Sequence, residues 1–209
     1  KTPTRGASNP RRGSRWWWVA TRKPSRSRNP NRLRIIGGEW RSRILTFPEQ
    51  EGLRPTPDRV RETLFNWLGQ YLHGKTCLDL FAGSGALGFE AASRGAQRVT
   101  LIEQSAKVVA ALHDNAAKLN ADRVSIERAE GLRWLGANAG VYDVIFLDPP
   151  FQSALLEKLL PLLAAHLTPS GCAYVESGAQ IVAPPGLQLA KSGRAGQVYF
   201  GLLTRSEDA

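Results

Sequence analysis

Residues 76–88 have the sequence TCLDLFAGSGALG, and this stretch decides the fold. Its first half is an apolar run of the kind found in strands that are buried on both faces. Its second half is rich in glycine and leads into a predicted helix that extends to about Arg94. Glycines let a backbone turn tightly and approach a ligand, while the free amides at the start of the helix face that ligand. The stretch therefore predicts a strand, a ligand-binding turn and a helix.

Strands and helices alternate from there to the end of the chain. The apolar patterns predict further strands at 98–103, 124–126, 141–147 and 172–176, helices at 105–119 and 153–167, and a closing hairpin at 187–203. Strands that alternate with helices form a doubly wound parallel sheet. The predicted fold is therefore α/β and Rossmann-like, with a mostly parallel sheet of seven strands.

The chain before this sheet divides into an arm and a small extension. Residues 1–32 are rich in Arg, Pro, Ser and Asn and lack apolar periodicity, so we expect a disordered arm. Residues 33–72 are predicted to form a hairpin that turns at Gly37-Gly38, followed by a helix with Asp58 as its N-cap. Residues 73–205 then form the core domain.

The net charge of +10 belongs to the arm. Residues 1–34 hold eleven of the 28 basic residues and no acidic residue, so the rest of the chain is nearly neutral. Such an arm can bind RNA phosphates without sequence preference, and an extension of no function is the alternative. No apolar run reaches the ~20 residues that cross a bilayer, so we expect no membrane segment. Cys77 and Cys172 indicate reduced thiols in a cytoplasmic protein.

An acid at the end of the next strand extends the predicted ligand site. Glu103 follows Gly83 by twenty residues, where it could accept hydrogen bonds from ribose hydroxyls. On spacing alone this pattern satisfies the dinucleotide fingerprint, so a NAD-dependent oxidoreductase is a genuine alternative. Asp79 favours S-adenosylmethionine, because an acid inside a buried strand is costly unless it is used. It could receive the cationic amino-acid end of that cofactor, or it could pin the glycine loop through backbone amides.

A stiff turn, Asp148-Pro149-Pro150-Phe151, ends the strand at 141–147. The exocyclic amine of a base is a poor nucleophile, and acceptors that hold its N–H groups orient it and stabilise the developing positive charge. Asp148 and the Pro149 carbonyl would supply such acceptors, and Phe151 a face on which an extruded base can stack. A proline-stiffened turn with an N-capping aspartate is the alternative. A dehydrogenase has no use for this element.

Together these motifs resemble the class I methyltransferases, and within them the RsmD-type 16S rRNA guanine-N2 methyltransferases. The resemblance covers nearly all of residues 33–204, and its most specific part is the run RPTPDRVRETLFN at 54–66. It implies methylation of the N2 amine of a guanine in 16S rRNA, within small-subunit particles, by a cytoplasmic monomer that uses S-adenosylmethionine and no metal. Adenine N6 and DNA remain alternative targets.

The resemblance also implies a set of cofactor-binding residues, among which Gln104 would lie beside the adenine and residues 54–56 would close over the methionine end. Glu130 would approach the adenine amine, although Asn or Asp is usual there and Gly131 stands where alanine is commoner. A longer acid either reaches the amine or is turned away. The full set is Thr56, Asp79, Phe81, Ala82, Gly83, Ser84, Gly85, Glu103, Gln104, Glu130 and Gly131.

Arginines cluster just before the catalytic core. The planar fork of arginine suits phosphate, so the cluster predicts an RNA-binding surface, while solvated arginines are the alternative for any single one. The predicted RNA ligands are Arg41, Arg43, Arg54, Arg59 and Arg61.

Overall fold

The structure is a computed structural model that describes residues 31–50, 53, 55–150 and 154–206. Its strands are β1 (Asn31–Arg34), β2 (Ile44–Phe47), β3 (Thr76–Asp79), β4 (Arg98–Glu103), β5 (Val124–Arg128), β6 (Tyr142–Leu147), β7 (Leu167–Ser177), β8 (Leu187–Ala195) and β9 (Val198–Arg205). Its helices are α1 (Asp58–Leu68), α2 (Ala86–Ser93), α3 (Ala106–Leu119), α4 (Gly131–Ala137), α5 (Leu155–Leu159) and α6 (Leu163–His166).

Seven strands form one sheet in the order β5-β4-β3-β6-β7-β9-β8. The first five pair in parallel, whereas β9 runs antiparallel to both of its neighbours. The direction of winding reverses between β3 and β6, and ligands of open α/β sheets bind at such a point, outside the carboxyl ends of the strands. The doubly wound, mostly parallel sheet of seven strands predicted from the sequence is confirmed.

Both faces of the central strands are buried, which explains why their sequences are continuously apolar. Successive side chains of a strand point to opposite faces. Cys77 and Phe146 thus belong to one hydrophobic cluster, while Leu78 and Ile145 belong to the other. Each fully buried large apolar side chain contributes roughly 1.5–3 kcal/mol, so the two clusters together hold the site-bearing strands rigidly in place.

The N-terminal extension packs against α2 and α3. Strands β1 and β2 pair antiparallel, and Thr46 of β2 exchanges two backbone hydrogen bonds with the Asn115 side chain of α3, at 3.1 and 2.9 Å. The predicted hairpin is present, but residues 35–43 connect its strands and the turn lies at 39–42, so the prediction of a turn at Gly37-Gly38 is wrong. Gly38 has a φ of +77°, and a Cβ there would overlap the Ser93 carbonyl. Glycine at this position is what allows the extension to approach α2.

A buried ion network fixes the extension to the core. The Glu90 carboxylate accepts hydrogen bonds from the amides of Ile36 and Gly37 at 2.8 Å each. It also pairs with Arg94 at 2.9 Å and with Arg61 at 3.3 Å. Because two backbone amides and two guanidinium groups surround it, this carboxylate is fully compensated although it is completely buried.

Several predicted boundaries differ from the structure. The predicted helix at 153–167 begins outside the described residues, and it breaks into α5, a single 3-10 turn and α6, because Pro161 lacks an amide hydrogen. Strand β7 begins at Leu167, earlier than the predicted 172. Helix α4 was not predicted, because seven residues carry too little apolar periodicity.

Two differences concern the N-terminal region. Strand β1 begins at Asn31, inside the predicted arm at 1–32, while residues 1–30 lie outside the described residues. Asp58 is the first residue of α1 rather than its N-cap, and its carboxylate pairs with Arg61 at 2.7 Å. In the part of the chain that the structure describes, no helix is both long and apolar enough to traverse a bilayer.

Candidate active site

The glycine loop joins β3 to α2 at the carboxyl edge of the sheet, beside the point where the winding reverses. Gly83 and Gly85 have φ angles of +49° and +77°, which other residues rarely adopt. A Cβ on Gly83 would lie 2.8 Å from the Leu53 side chain, so the N-terminal extension reaches over the loop. This loop also contains the predicted cofactor residues Phe81, Ala82 and Ser84.

Glu103 ends β4 and ties the loop to the neighbouring strand. Its carboxylate accepts hydrogen bonds from the amide of Gly83 at 3.1 Å and from the amide of Ser105 at 2.7 Å. The side chain is half-buried, and the predicted adenine neighbour Gln104 is exposed beside it. The acid therefore lies where a ligand held by the loop would meet it.

Asp79, at the end of β3, is buried beneath the same loop. Its carboxylate accepts a hydrogen bond from the Gly88 amide at 3.0 Å. The pKa of this carboxyl is raised to about 7, mainly by burial and to a smaller extent by the charge of Glu103, while the hydrogen bond from the Gly88 amide lowers it. Of the two roles open from the sequence, the contact that pins the start of α2 is the one present in this structure.

The predicted catalytic turn follows β6, which lies between β3 and β7. Asp148 is partly exposed, Pro149 is buried and Pro150 is exposed, while Phe151 lies outside the described residues. Burial raises the pKa of Asp148 well above its ordinary value, and the charges of Glu176 and Asp79 add to this effect. The carboxylate is therefore a stronger proton and hydrogen-bond acceptor than one in water.

Glu130 has a contact that sequence reasoning did not predict. Its carboxylate caps α4 by accepting hydrogen bonds from the amides of Leu132 and Arg133 at 3.1 and 2.9 Å. These bonds turn the longer acid toward its own helix. A Cβ on Gly131 would lie 2.9 Å from the Leu80 carbonyl and 3.0 Å from the Phe81 ring, which explains the glycine at this position.

Glu176 is a site residue that the sequence analysis missed. It is the penultimate residue of β7, is only 4% exposed, and accepts hydrogen bonds from Thr56 and Tyr174, both at 2.9 Å. The available signal was an acid near the end of an apolar strand, the same signal that singled out Glu103. Its partner Thr56, 120 residues away in sequence, could not be inferred because it requires the tertiary fold.

One of the predicted RNA-binding arginines does not lie on the surface. Arg61 is fully buried and donates to the carbonyls of Thr56 and Arg34 as well as to carboxylates, so its prediction as an RNA ligand is wrong. In the helical repeat of α1, Arg61 lies on the same buried face as Leu64 and Phe65. The guanidinium of Arg43 donates to the Lys118 carbonyl at 2.8 Å, although the residue is exposed. Arg41 and Arg59 are also exposed, and residue 54 lies outside the described chain.

The sheet distinguishes between the two cofactor classes that the sequence left open. In the dinucleotide-binding order the sixth strand continues the parallel sheet at its edge. Here β9 runs antiparallel between β7 and β8, and an acid and two prolines follow β6. This fold and site define a class I methyltransferase.

Comparisons with known proteins give the family. The family described as Conserved hypothetical protein 95 matches residues 33–204. The chain is 42% identical to Ribosomal RNA small subunit methyltransferase D of Escherichia coli (strain K12), across 88% of this chain and 95% of that protein. The Haemophilus influenzae protein of the same name is also 42% identical, with coverage of 81% and 92%. A solved Escherichia coli structure, 44% identical, has a TM-score of 0.77 and covers 84% of this chain and 99% of that one. The chain belongs to this family, the RsmD-type methyltransferases that the sequence resembles.

Replacing Glu103 tests the predicted cofactor site. Glu103→Ala should weaken S-adenosylmethionine binding by about 1–3 kcal/mol, because charged hydrogen bonds to the ribose are lost. Glu103→Gln keeps an acceptor for the Gly83 amide and should weaken binding less. Calorimetric titration of both variants, with NAD as the control ligand, measures the effect. Saturable NAD binding without S-adenosylmethionine binding would reverse the cofactor assignment.

Proposed function

We propose that the protein transfers a methyl group from S-adenosylmethionine to the N2 amine of a guanine in 16S rRNA, held in small-subunit particles in the cytoplasm. The observation that carries this proposal is the acidic turn after β6, which lies next to the glycine loop at the carboxyl edge of the sheet. The names of the relatives, rRNA methyltransferases of the small subunit, supply the substrate class.

The residues of the site fit a cationic cofactor. In the sheet Asp79 pairs with Phe146, and Phe146 pairs with Tyr174. Asp148 comes two residues after Phe146, and Glu176 two residues after Tyr174. Because side chains two residues apart point to the same face, all three acids share one face of the sheet. Within the described ranges, no lysine or arginine forms an ion pair with any of these three carboxylates. A cationic ligand would supply the missing compensation, whereas a dianionic pyrophosphate would be repelled.

The chemistry of the target assigns a role to the turn. When bound, S-adenosylmethionine supplies an electrophilic methyl group on its sulfonium. The Asp148 carboxylate and the Pro149 carbonyl would each accept a hydrogen bond from one N–H of the guanine amine, and so direct the nitrogen lone pair toward that methyl. As the new N–C bond forms and the S–C bond of the sulfonium breaks to leave a neutral thioether, the nitrogen would become positive; the Asp148 carboxylate would stabilise it and accept its proton after transfer. Proton abstraction before transfer is not required, because the amine becomes acidic once the methyl has arrived.

The exposed arginines of the extension, Arg41, Arg43 and Arg59, would bind RNA phosphates. Arg61 is excluded from this role because it is buried in the core. Labelled S-adenosylmethionine offered with small-subunit particles, free 16S rRNA and duplex DNA in parallel tests the substrate class. Label in RNA supports the proposal, whereas label only in DNA would assign the site to the alternative substrate.

A further inference from the structure

Glu176 lies directly beside the catalytic turn because of the strand register. Strands β6 and β7 run parallel with Leu147 opposite Val175. The next residues along the two strands are Asp148 and Glu176, and residues at equivalent positions point to the same face. The two acids are therefore neighbours on the face that also carries Asp79.

The Glu176 carboxylate also holds the N-terminal extension. The hydroxyls of Thr56 and Tyr174 both donate to the same oxygen, Oε1, at 2.9 Å. Thr56 is 5% exposed and lies between two prolines, which fix the backbone on either side of it. The hydrogen bond from Thr56 therefore attaches the chain immediately before α1 to the end of β7.

The charge of Glu176 acts on its neighbour as well. After burial, the charge of Glu176 makes the largest contribution to the raised pKa of Asp148. Three other charged groups lie around the pair. They are Asp79 on β3, Glu103 on β4, whose charge raises the pKa of Asp79, and Arg61 on α1, which donates to the Thr56 carbonyl at 3.3 Å. Burial raises the pKa of Glu176 itself, and the hydrogen bonds from Tyr174 and Thr56 oppose this.

We propose that Glu176 is a positioning residue for methyl transfer, which latches Thr56 over the cofactor site and places a negative charge beside Asp148. This inference rests on the proposed function. It assigns Glu176 two separable effects, one through its hydrogen bond to the extension and one through its charge. A purely structural tether would have only the first effect.

Three variants of the full chain separate the two effects. Glu176→Gln keeps an oxygen that accepts from both hydroxyls and removes the charge. Thr56→Val keeps the shape of the side chain and the charge of Glu176 but breaks the latch. Glu62→Gln removes an exposed carboxylate of α1 and serves as the control. For each variant we would measure the single-turnover rate on small-subunit particles across about pH 5 to 9, and S-adenosylmethionine affinity by calorimetry.

Glu176→Gln should move the acidic limb of the pH–rate profile down by about half a pH unit or more, because Asp148 then ionises more readily. Thr56→Val should leave that limb in place and weaken cofactor binding roughly 3- to 10-fold, as expected for one lost hydrogen bond. Glu62→Gln should change neither quantity.

A wild-type pH profile in Glu176→Gln, or wild-type cofactor affinity in Thr56→Val, would overturn the inference. Failure of the unsubstituted protein to methylate the particles would instead contradict the proposed function. The calorimetric comparison of Thr56→Val with wild type would still decide whether the latch exists.

Discussion

Asp148→Ala is expected to reduce the rate of methyl transfer about 10²–10³-fold while leaving the affinity for S-adenosylmethionine nearly unchanged. Asp148 acts on the amine of the base as the transition state becomes positive, so its loss falls on the chemical step. Removing one preorganised electrostatic partner from such a site typically costs a factor of this size. Single-turnover rates on small-subunit particles at saturating cofactor, together with calorimetric titration, measure both quantities.

The pH dependence of the wild-type rate provides a second measure of the same carboxylate. Burial and the charge of Glu176 raise the pKa of Asp148, so it remains protonated to higher pH than an ordinary aspartate. The rate should therefore rise with pH through this raised pKa, and the limb should vanish in Asp148→Ala. Asp114→Ala, which removes an exposed acid of α3, is the matched control. A wild-type rate in Asp148→Ala would show that the turn at 148–151 has a structural role only and that the proposed mechanism is wrong.

Glu90→Ala should lower the free energy of unfolding by about 3–5 kcal/mol, the cost of leaving buried charges without their partner. The Glu90 and Arg61 side chains are both completely buried, and Arg94 is 5% exposed. The same substitution frees the amides of Ile36 and Gly37. Urea denaturation followed by circular dichroism measures the loss.

The control for this experiment is an ion pair of the same type at the surface. Glu39 pairs with Arg123 at 2.9 Å, and the two side chains are 58% and 35% exposed. Exposed pairs contribute about 0–1 kcal/mol, so Glu39→Ala should be nearly neutral. Equal effects of the two substitutions would show that the network around Glu90 does not anchor the extension.

The core of the fold could be predicted because its signals are local in the sequence. The apolar run of β6 and the strand at 98–103 were located within a residue of their observed bounds. The glycine loop and the acid of Glu103 were recognisable from spacing alone. Each of these features depends on a short stretch of chain, where the preference of the backbone and the burial of the strand agree.

The rest of the site depends on contacts between distant segments. Arg61 lies in an arginine-rich run that looked like an exposed surface, and only the packing of α1 on α2 shows that it compensates Glu90. Glu176 required the register of β6 and β7 to bring it beside Asp148. Pairings of this kind cannot be read from one sequence, because the periodicity of a strand fixes its faces but not its neighbours.

The identity of the methylated nucleoside tests the central claim most directly. Small-subunit particles would be incubated with the protein and labelled S-adenosylmethionine, the RNA digested to nucleosides, and the label assigned by mass spectrometry, with the Asp148→Ala variant run in parallel. The account predicts N2-methylguanosine at a single position of 16S rRNA, and almost none with the variant. Label in N6-methyladenosine, or equal label with the Asp148→Ala variant, would contradict it.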